Sequence, residues 1–139
     1  MTFNAVKTAA FLRQPYSSIR AVLIYRTDQG LIHERAQLLA KSIVEDLNDP
    51  FRVSELTGGE IKSDPARLID EASAQSLIGG ERVVRVKLGG EDISKTLLQY
   101  LDEDVQSSLV ILEAGELTPR SPVRKLVEKS QNAGAMACY

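Results

Sequence analysis

Two uninterrupted apolar runs constrain this chain more than any other feature. Ala21-Val22-Leu23-Ile24-Tyr25 and Leu109-Val110-Ile111-Leu112 carry no charge and no alternation. A strand with one wet face alternates polar and apolar residues, whereas a strand covered on both faces reads as a continuous apolar run. The two runs therefore predict a sheet held between helices, with the second run at its centre.

The segments between them complete that rhythm. Asn4 is placed to cap a short opening helix that ends near Gln14, ahead of Pro15. Asp28 caps a long helix in which Ile32, Ala36, Leu39, Ile43 and Leu47 keep a helical stripe. Residues 51–56 read as a short alternating strand. Asp64-Pro65 opens the next helix, with proline in the first turn where its missing N–H costs nothing, and Leu68, Ile69 and Ala72 form its inner stripe. Arg82-Val83-Val84-Arg85-Val86 is the next strand, followed by a helix carrying Ile93, Leu97, Leu98 and Leu101. A last helix over residues 120–131 turns Val123, Leu126 and Val127 inward, and residues 135–139 read as a fifth strand. Strand–helix repetition of this kind predicts an α/β fold: three layers, α/β/α, around a mostly parallel five-stranded sheet. At 139 residues the chain makes one domain, residues 1–139. It stops in or just after its final strand without a closing helix, the pattern expected of an excised domain.

One junction stands apart. In Gln75-Ser76-Leu77-Ile78-Gly79-Gly80-Glu81-Arg82 a helical pattern runs to two large aliphatics, meets a glycine pair and gives way to a strand. Glycine just past a periodic segment is the usual helix stop, so Gly79 and Gly80 read as cap and turn. Leu77 and Ile78 then fall at the helix tip, where adjacent residues cannot both face one core. They read either as core or as an outward docking knob.

Catalytic chemistry finds no footing. The turn after the first strand is Tyr25-Arg26-Thr27-Asp28-Gln29-Gly30-Leu31, with one glycine and no Gly-Lys-Ser/Thr for phosphates and magnesium. The dinucleotide fingerprint fails too, because its first glycines fall on Arg26 and Asp28. The central strand ends Leu112-Glu113-Ala114, a single carboxylate where an ATPase carries an acidic pair. His33, the only histidine, lies in the first turn of an amphipathic helix and reads as a solvated residue. With one histidine and one cysteine there is no soft metal set, so no catalytic, cofactor or metal residue is expected. A nucleotide-binding enzyme domain on the same fold is the alternative reading. It predicts thermal stabilisation by ATP or a dinucleotide with magnesium.

Charge and cysteine usage narrow the setting. A formal charge of −2 argues against nucleic acid as the main partner. Arg120, Arg124, Lys125 and Lys129 form a basic helix stripe that reads as a solvated face or as a surface turned to DNA in a larger assembly. Cys138 is the only cysteine, which fits a reducing cytoplasm, and residues 1–14 have no apolar core long enough for a signal or membrane anchor.

The residues together resemble a family. Ala21-Val22-Leu23-Ile24-Tyr25 followed by Asp28 and Leu31-Ile32-His33-Glu34-Arg35-Ala36, then Ser76-Leu77-Ile78-Gly79-Gly80-Glu81-Arg82, then Leu109-Val110-Ile111-Leu112-Glu113-Ala114-Gly115-Glu116-Leu117 with Pro119-Arg120-Ser121, resemble the delta subunit of bacterial DNA polymerase III. Order and spacing carry the resemblance, which covers nearly the whole chain but only the N-terminal domain of the longer family protein. It implies an AAA+-like domain without a functional P-loop, a non-catalytic clamp-loader subunit of the polymerase holoenzyme. It further implies that an apolar helix tip binds the sliding clamp (the beta subunit) and promotes ring opening in DNA replication. By position the clamp-binding residues are Leu77 and Ile78, with Ser73, Gln75 and Ser76 beside them. The family often has leucine-phenylalanine with a glutamine four residues before the leucine, and here those positions hold Ile78 and Ser73. Arg82 and the exposed face of the first helix are expected to add contact. Lid and collar domains, and the contacts to other loader subunits, belong to the part absent here. DNA is a partner only of the assembled complex, and no membrane is involved.

Magnitudes limit what the tip does alone. Burying Leu77 and Ile78 gains roughly 1.5–3 kcal/mol each, whereas association costs an estimated 4–15 kcal/mol, so on the order of a few further anchors are needed.

Overall fold

The computed structural model describes residues 1–74, 80–103 and 107–138. In chain order these form β1 (Thr2–Phe3), α1 (Ala5–Arg13), β2 (Ala21–Tyr25), α2 (Gln29–Ile43), β3 (Val53–Thr57), α3 (Gly58–Ser63), α4 (Ala66–Ser73), β4 (Arg82–Lys87), α5 (Ser94–Glu103), β5 (Ser108–Glu113), α6 (Pro122–Lys129) and β6 (Ala133–Ala137). The strands make one sheet in the order β1-β6-β2-β5-β4-β3, and every neighbouring pair is parallel. The expected three-layer α/β/α architecture is present, with six strands among the described residues instead of five.

Side-chain alternation along the strands divides the interior in two. Ala21, Leu23 and Tyr25 of β2, with Val110 and Leu112 of β5, face Leu68, Ala72, Leu97, Tyr100, Val123 and Val127 from α4, α5 and α6. Val22, Ile24, Leu109 and Ile111 face the other way, against Phe11 of α1 and Ile32, Ala36 and Leu39 of α2. Both apolar runs are buried throughout, as their sequence demands.

Capping fixes where the helices start. The Asn4 side chain accepts the Lys7 N–H, Asp28 accepts the Leu31 N–H at 3.0 Å, and Ser121 accepts the Arg124 N–H at 3.3 Å. Several boundaries differ from the sequence reading, each for a local reason. α2 ends at Ile43 because Val44 turns extended (φ −125°, ψ 139°), so Leu47 leaves the helical stripe while still packing against the core. β3 starts at Val53, leaving Phe51 outside the sheet. Thr57 caps the unexpected α3 by accepting the Glu60 N–H at 3.1 Å, and six residues are too few to show a period. In α5 Leu97 and Leu101 face inward as expected and Tyr100 joins them, its hydroxyl donating to the Arg20 carbonyl at 2.9 Å, while Leu98 points outward. β6 spans Ala133–Ala137 rather than residues 135–139, and α6 is shorter than residues 120–131.

β1 is the added strand. Its two residues pair with Ala135 and Met136 of β6. The Met1 ammonium anchors it by donating to the carbonyls of Val127, Glu128 and Ser130 at 2.6, 2.8 and 2.8 Å, at the C-terminal end of α6 where carbonyls carry partial negative charge.

Candidate functional site

α4 and the start of β4 frame the junction singled out by the sequence. Leu68 and Ala72 bury the inner stripe of α4 and Ile69 is half-buried, whereas Ser73 and Ala74 are exposed. The helix ends at Ser73, because Ala74 adopts an extended conformation (φ −61°, ψ 131°), and so stops before the glycine pair expected to end it. Gln75, Ser76, Leu77 and Ile78, the other proposed contact residues, lie outside the described residues, as does Gly79. Gly80 follows with φ +91°, a region glycine enters freely, and its open α-carbon faces the Arg52 guanidinium.

Arg82 corrects the sequence reading. Expected as contact surface, it is only 5% exposed. Its guanidinium turns inward, donating through Nε to the Glu71 carbonyl at 3.1 Å, through Nη2 to the Ser54 hydroxyl at 2.7 Å and through Nη1 to the Phe51 carbonyl. The Glu71 carboxylate accepts the Ser54 hydroxyl at 2.7 Å and lies 3.6 Å from Arg82 Nη2. One buried cation thus ties the last turn of α4, the first residues of β3 and the turn before β3 into a single unit. A buried charge is tolerated where it is paired and hydrogen-bonded, as this one is. Arg82 positions the helix end instead of presenting itself to a partner.

At the opposite end of the sheet, β2 stops at Tyr25 and α2 begins at Gln29, leaving only Arg26, Thr27 and Asp28 to connect them. Arg26 has φ +141°, donates its N–H to the Gly115 carbonyl at 3.2 Å and approaches Glu116 at 3.9 Å. The Asp28 carboxylate occupies the N-terminus of α2, where a phosphate-binding protein would offer free N–H groups. Beside this turn, Arg85 donates to Glu113 at 3.0 Å, both nearly buried, and His33 Nδ1 stands 3.4 Å from each. They line a cleft of about 250 Å³ with Glu55, Leu56, Thr57, Glu60 and Lys87. His33 keeps half its side chain in solvent, as its position predicts, while its neighbours Arg85 and Glu113 come from distant strands that no local pattern announces. Glu113 is already engaged by Arg85 across the strand pair β4–β5.

The basic stripe is divided. Arg120, Lys125 and Lys129 are exposed, but Arg124 folds back over the Tyr25 ring at 5.0 Å and donates to the Leu117 carbonyl at 2.8 Å. Among the described residues no group of three or more histidine, cysteine or acidic side chains is arranged to hold a metal ion, and no helix is long and apolar enough to cross a membrane.

No family model matches the sequence, and no curated protein matches it either. Solved structures do. The chain is similar to the Bacillus subtilis DNA clamp loader delta protein, with a TM-score of 0.69 at 18% identity over 96% of this chain. The chain shares its α/β/α fold, with a parallel sheet, with this protein. A Thermotoga maritima protein related to the DNA polymerase III gamma subunit superposes with a TM-score of 0.65 at 13% identity over 95% of the chain. Domain III of the Thermotoga maritima replication initiation protein DnaA gives 0.53 at 15% identity over 95%. The chain spans 42% and 45% of the first two proteins and 59% of the third.

Proposed function

We propose that this chain is the clamp-interacting domain of a delta-type clamp-loader subunit, non-catalytic in itself, which binds a sliding clamp and promotes its opening during DNA replication. The reading rests on one observation above others: the end of α4 is presented outward at Ser73 and Ala74, while Arg82 fixes it rigidly from behind. A mobile helix end would pay a large ordering cost on docking, and a braced one avoids it. Likeness in fold to a clamp-loader delta protein gives the brace a purpose. Leu77 and Ile78 are the anchors in this reading, with Ser73, Gln75 and Ser76 around them. The sliding clamp is the partner, the other loader subunits join through further domains, and the cytoplasm is the setting. The short β2–α2 connection, filled by Arg26 and Asp28, supports a role without nucleotide.

Calorimetric titration of the protein with the bacterial sliding clamp tests this reading. Wild type is expected to bind. A Leu77→Ala/Ile78→Ala variant with an unchanged circular dichroism spectrum is expected to lose at least tenfold in affinity, as for paired interface hot spots. Equal binding by the two proteins, or none by wild type to a clamp active toward another ligand, refutes it.

A further inference from the structure

The large apolar side chains left in solvent include Val6, Tyr16, Leu38, Phe51 and Leu98. Phe51 differs from the rest in how it is held. The residue is 58% exposed, yet the backbone on either side of it is fastened. The Phe51 N–H donates to Asp49 Oδ1 at 2.9 Å, and the N–H groups of Arg52 and Val53 donate to the Asp49 carbonyl at 3.1 and 3.0 Å. Arg52 Nε lies 3.7 Å from Asp49 Oδ2. The Phe51 carbonyl accepts from Arg82, and the Arg52 carbonyl accepts the Val83 N–H at 2.8 Å, which joins the turn to β4.

Arg82 also fixes where the Phe51 backbone lies. The same guanidinium that binds the Phe51 carbonyl binds the Glu71 carbonyl in the last turn of α4. The Phe51 carbonyl is therefore within one guanidinium's width of the Glu71 carbonyl in the last turn of α4, and Arg52 beside it packs against Gly80 where β4 approaches. An aromatic ring on a pinned backbone has two side-chain torsions to lose on docking, so it offers large contact area at low entropic cost. The bonds hold the turn into β3, and the exposed ring is carried on that held backbone.

We propose that Phe51 is an apolar anchor for the sliding clamp, seated beside the end of α4 and entering an apolar depression on the clamp surface. This rests on the clamp-binding reading and supplies a further contact of the kind that reading requires. Arg82 serves both elements at once by setting the spacing between the backbone that carries Phe51 and the helix end.

The test is a titration of the full protein with the sliding clamp, using wild type, Phe51→Ser, Phe51→Leu and Leu77→Ala/Ile78→Ala. Phe51→Ser is expected to weaken binding roughly tenfold or more while the melting temperature stays the same, since the residue is outside the core. Phe51→Leu keeps an apolar side chain and is expected to recover most of the affinity. Phe51→Gln makes the same comparison should serine disturb the turn. If the Phe51 variants bind like wild type while the Leu77/Ile78 variant does not, the Phe51 anchor is overturned and the clamp-binding reading stands. If wild type does not bind the clamp, both fall.

Discussion

Replacing Arg82 with methionine isolates the brace behind α4. Methionine keeps most of the aliphatic volume of the stem and removes the guanidinium. Three hydrogen bonds disappear, to the Glu71 carbonyl, the Ser54 hydroxyl and the Phe51 carbonyl. Hydrogen bonds involving a charged group contribute about 1.5–3 kcal/mol each when the alternative is an unsatisfied buried partner. Part of that loss is recovered here. The Glu71 side chain is 35% exposed and its carboxylate still accepts the Ser54 hydroxyl, so water can replace some of what Arg82 supplied. The expected destabilisation is therefore about 3 kcal/mol, which for a domain of this size lowers the melting temperature by roughly 10 °C. Urea denaturation gives the free energy, and amide exchange gives the location: protection should fall in the last turn of α4 and remain in α2. In a double-mutant cycle with Glu71→Gln, the 3.6 Å contact to a partly solvated carboxylate should couple by no more than about 1 kcal/mol. A loss below about 1 kcal/mol for Arg82→Met, or exchange that rises equally in both helices, refutes the assignment of Arg82 as the brace.

Two further expectations concern the edge of the sheet. A Cβ on Gly134 would stand 2.5–2.9 Å from the Phe3 ring, so Gly134→Ala should displace β1 and cost about 1–3 kcal/mol, measurable by thermal denaturation, with a Phe3→Leu background reducing the penalty. Burial pushes the Cys138 thiol above its ordinary range, outweighing the nearby Arg35, so less thiolate is present at any given pH. Native protein at pH 8 should then react slowly with a thiol reagent, and urea-unfolded protein rapidly; equal rates refute the buried placement.

How much of this was legible in the sequence depends on whether the deciding partner lies nearby along the chain. α2 was legible because its cap and its stripe are both local: Asp28 reaches Leu31, and Ile32, Ala36 and Leu39 share one face. β4 was legible as a strand but its charges were not. Arg82 was expected at a contact surface, yet it and Arg85 are buried on opposite faces, one paired with Glu71 and the other with Glu113. Those acids come from α4 and β5, and no periodicity within β4 announces them. β1 is invisible for a related reason. Two residues carry no period, and only β6, from the far end of the chain, makes them a strand. The candidate site was half legible. The helix leading to it was readable from Leu68 and Ala72, whereas the exposed Phe51 was read as the start of β3, because a pinned turn and a strand end look alike in sequence.

The strand order β1-β6-β2-β5-β4-β3 also governs when each part of the sheet can exist as the chain emerges from a ribosome. β2 is made early, but both of its neighbours, β5 and β6, come from the last third of the chain. Until residue 108 has been synthesised, the most apolar strand of the protein has no backbone partner on either side. The β3–β4 pair is the first whose two strands have both been synthesised, by residue 87, and it lies at an edge of the finished sheet. The end of α4 is joined to that same pair through Arg82, so every residue of the surface assigned to the partner is synthesised before the centre of the sheet.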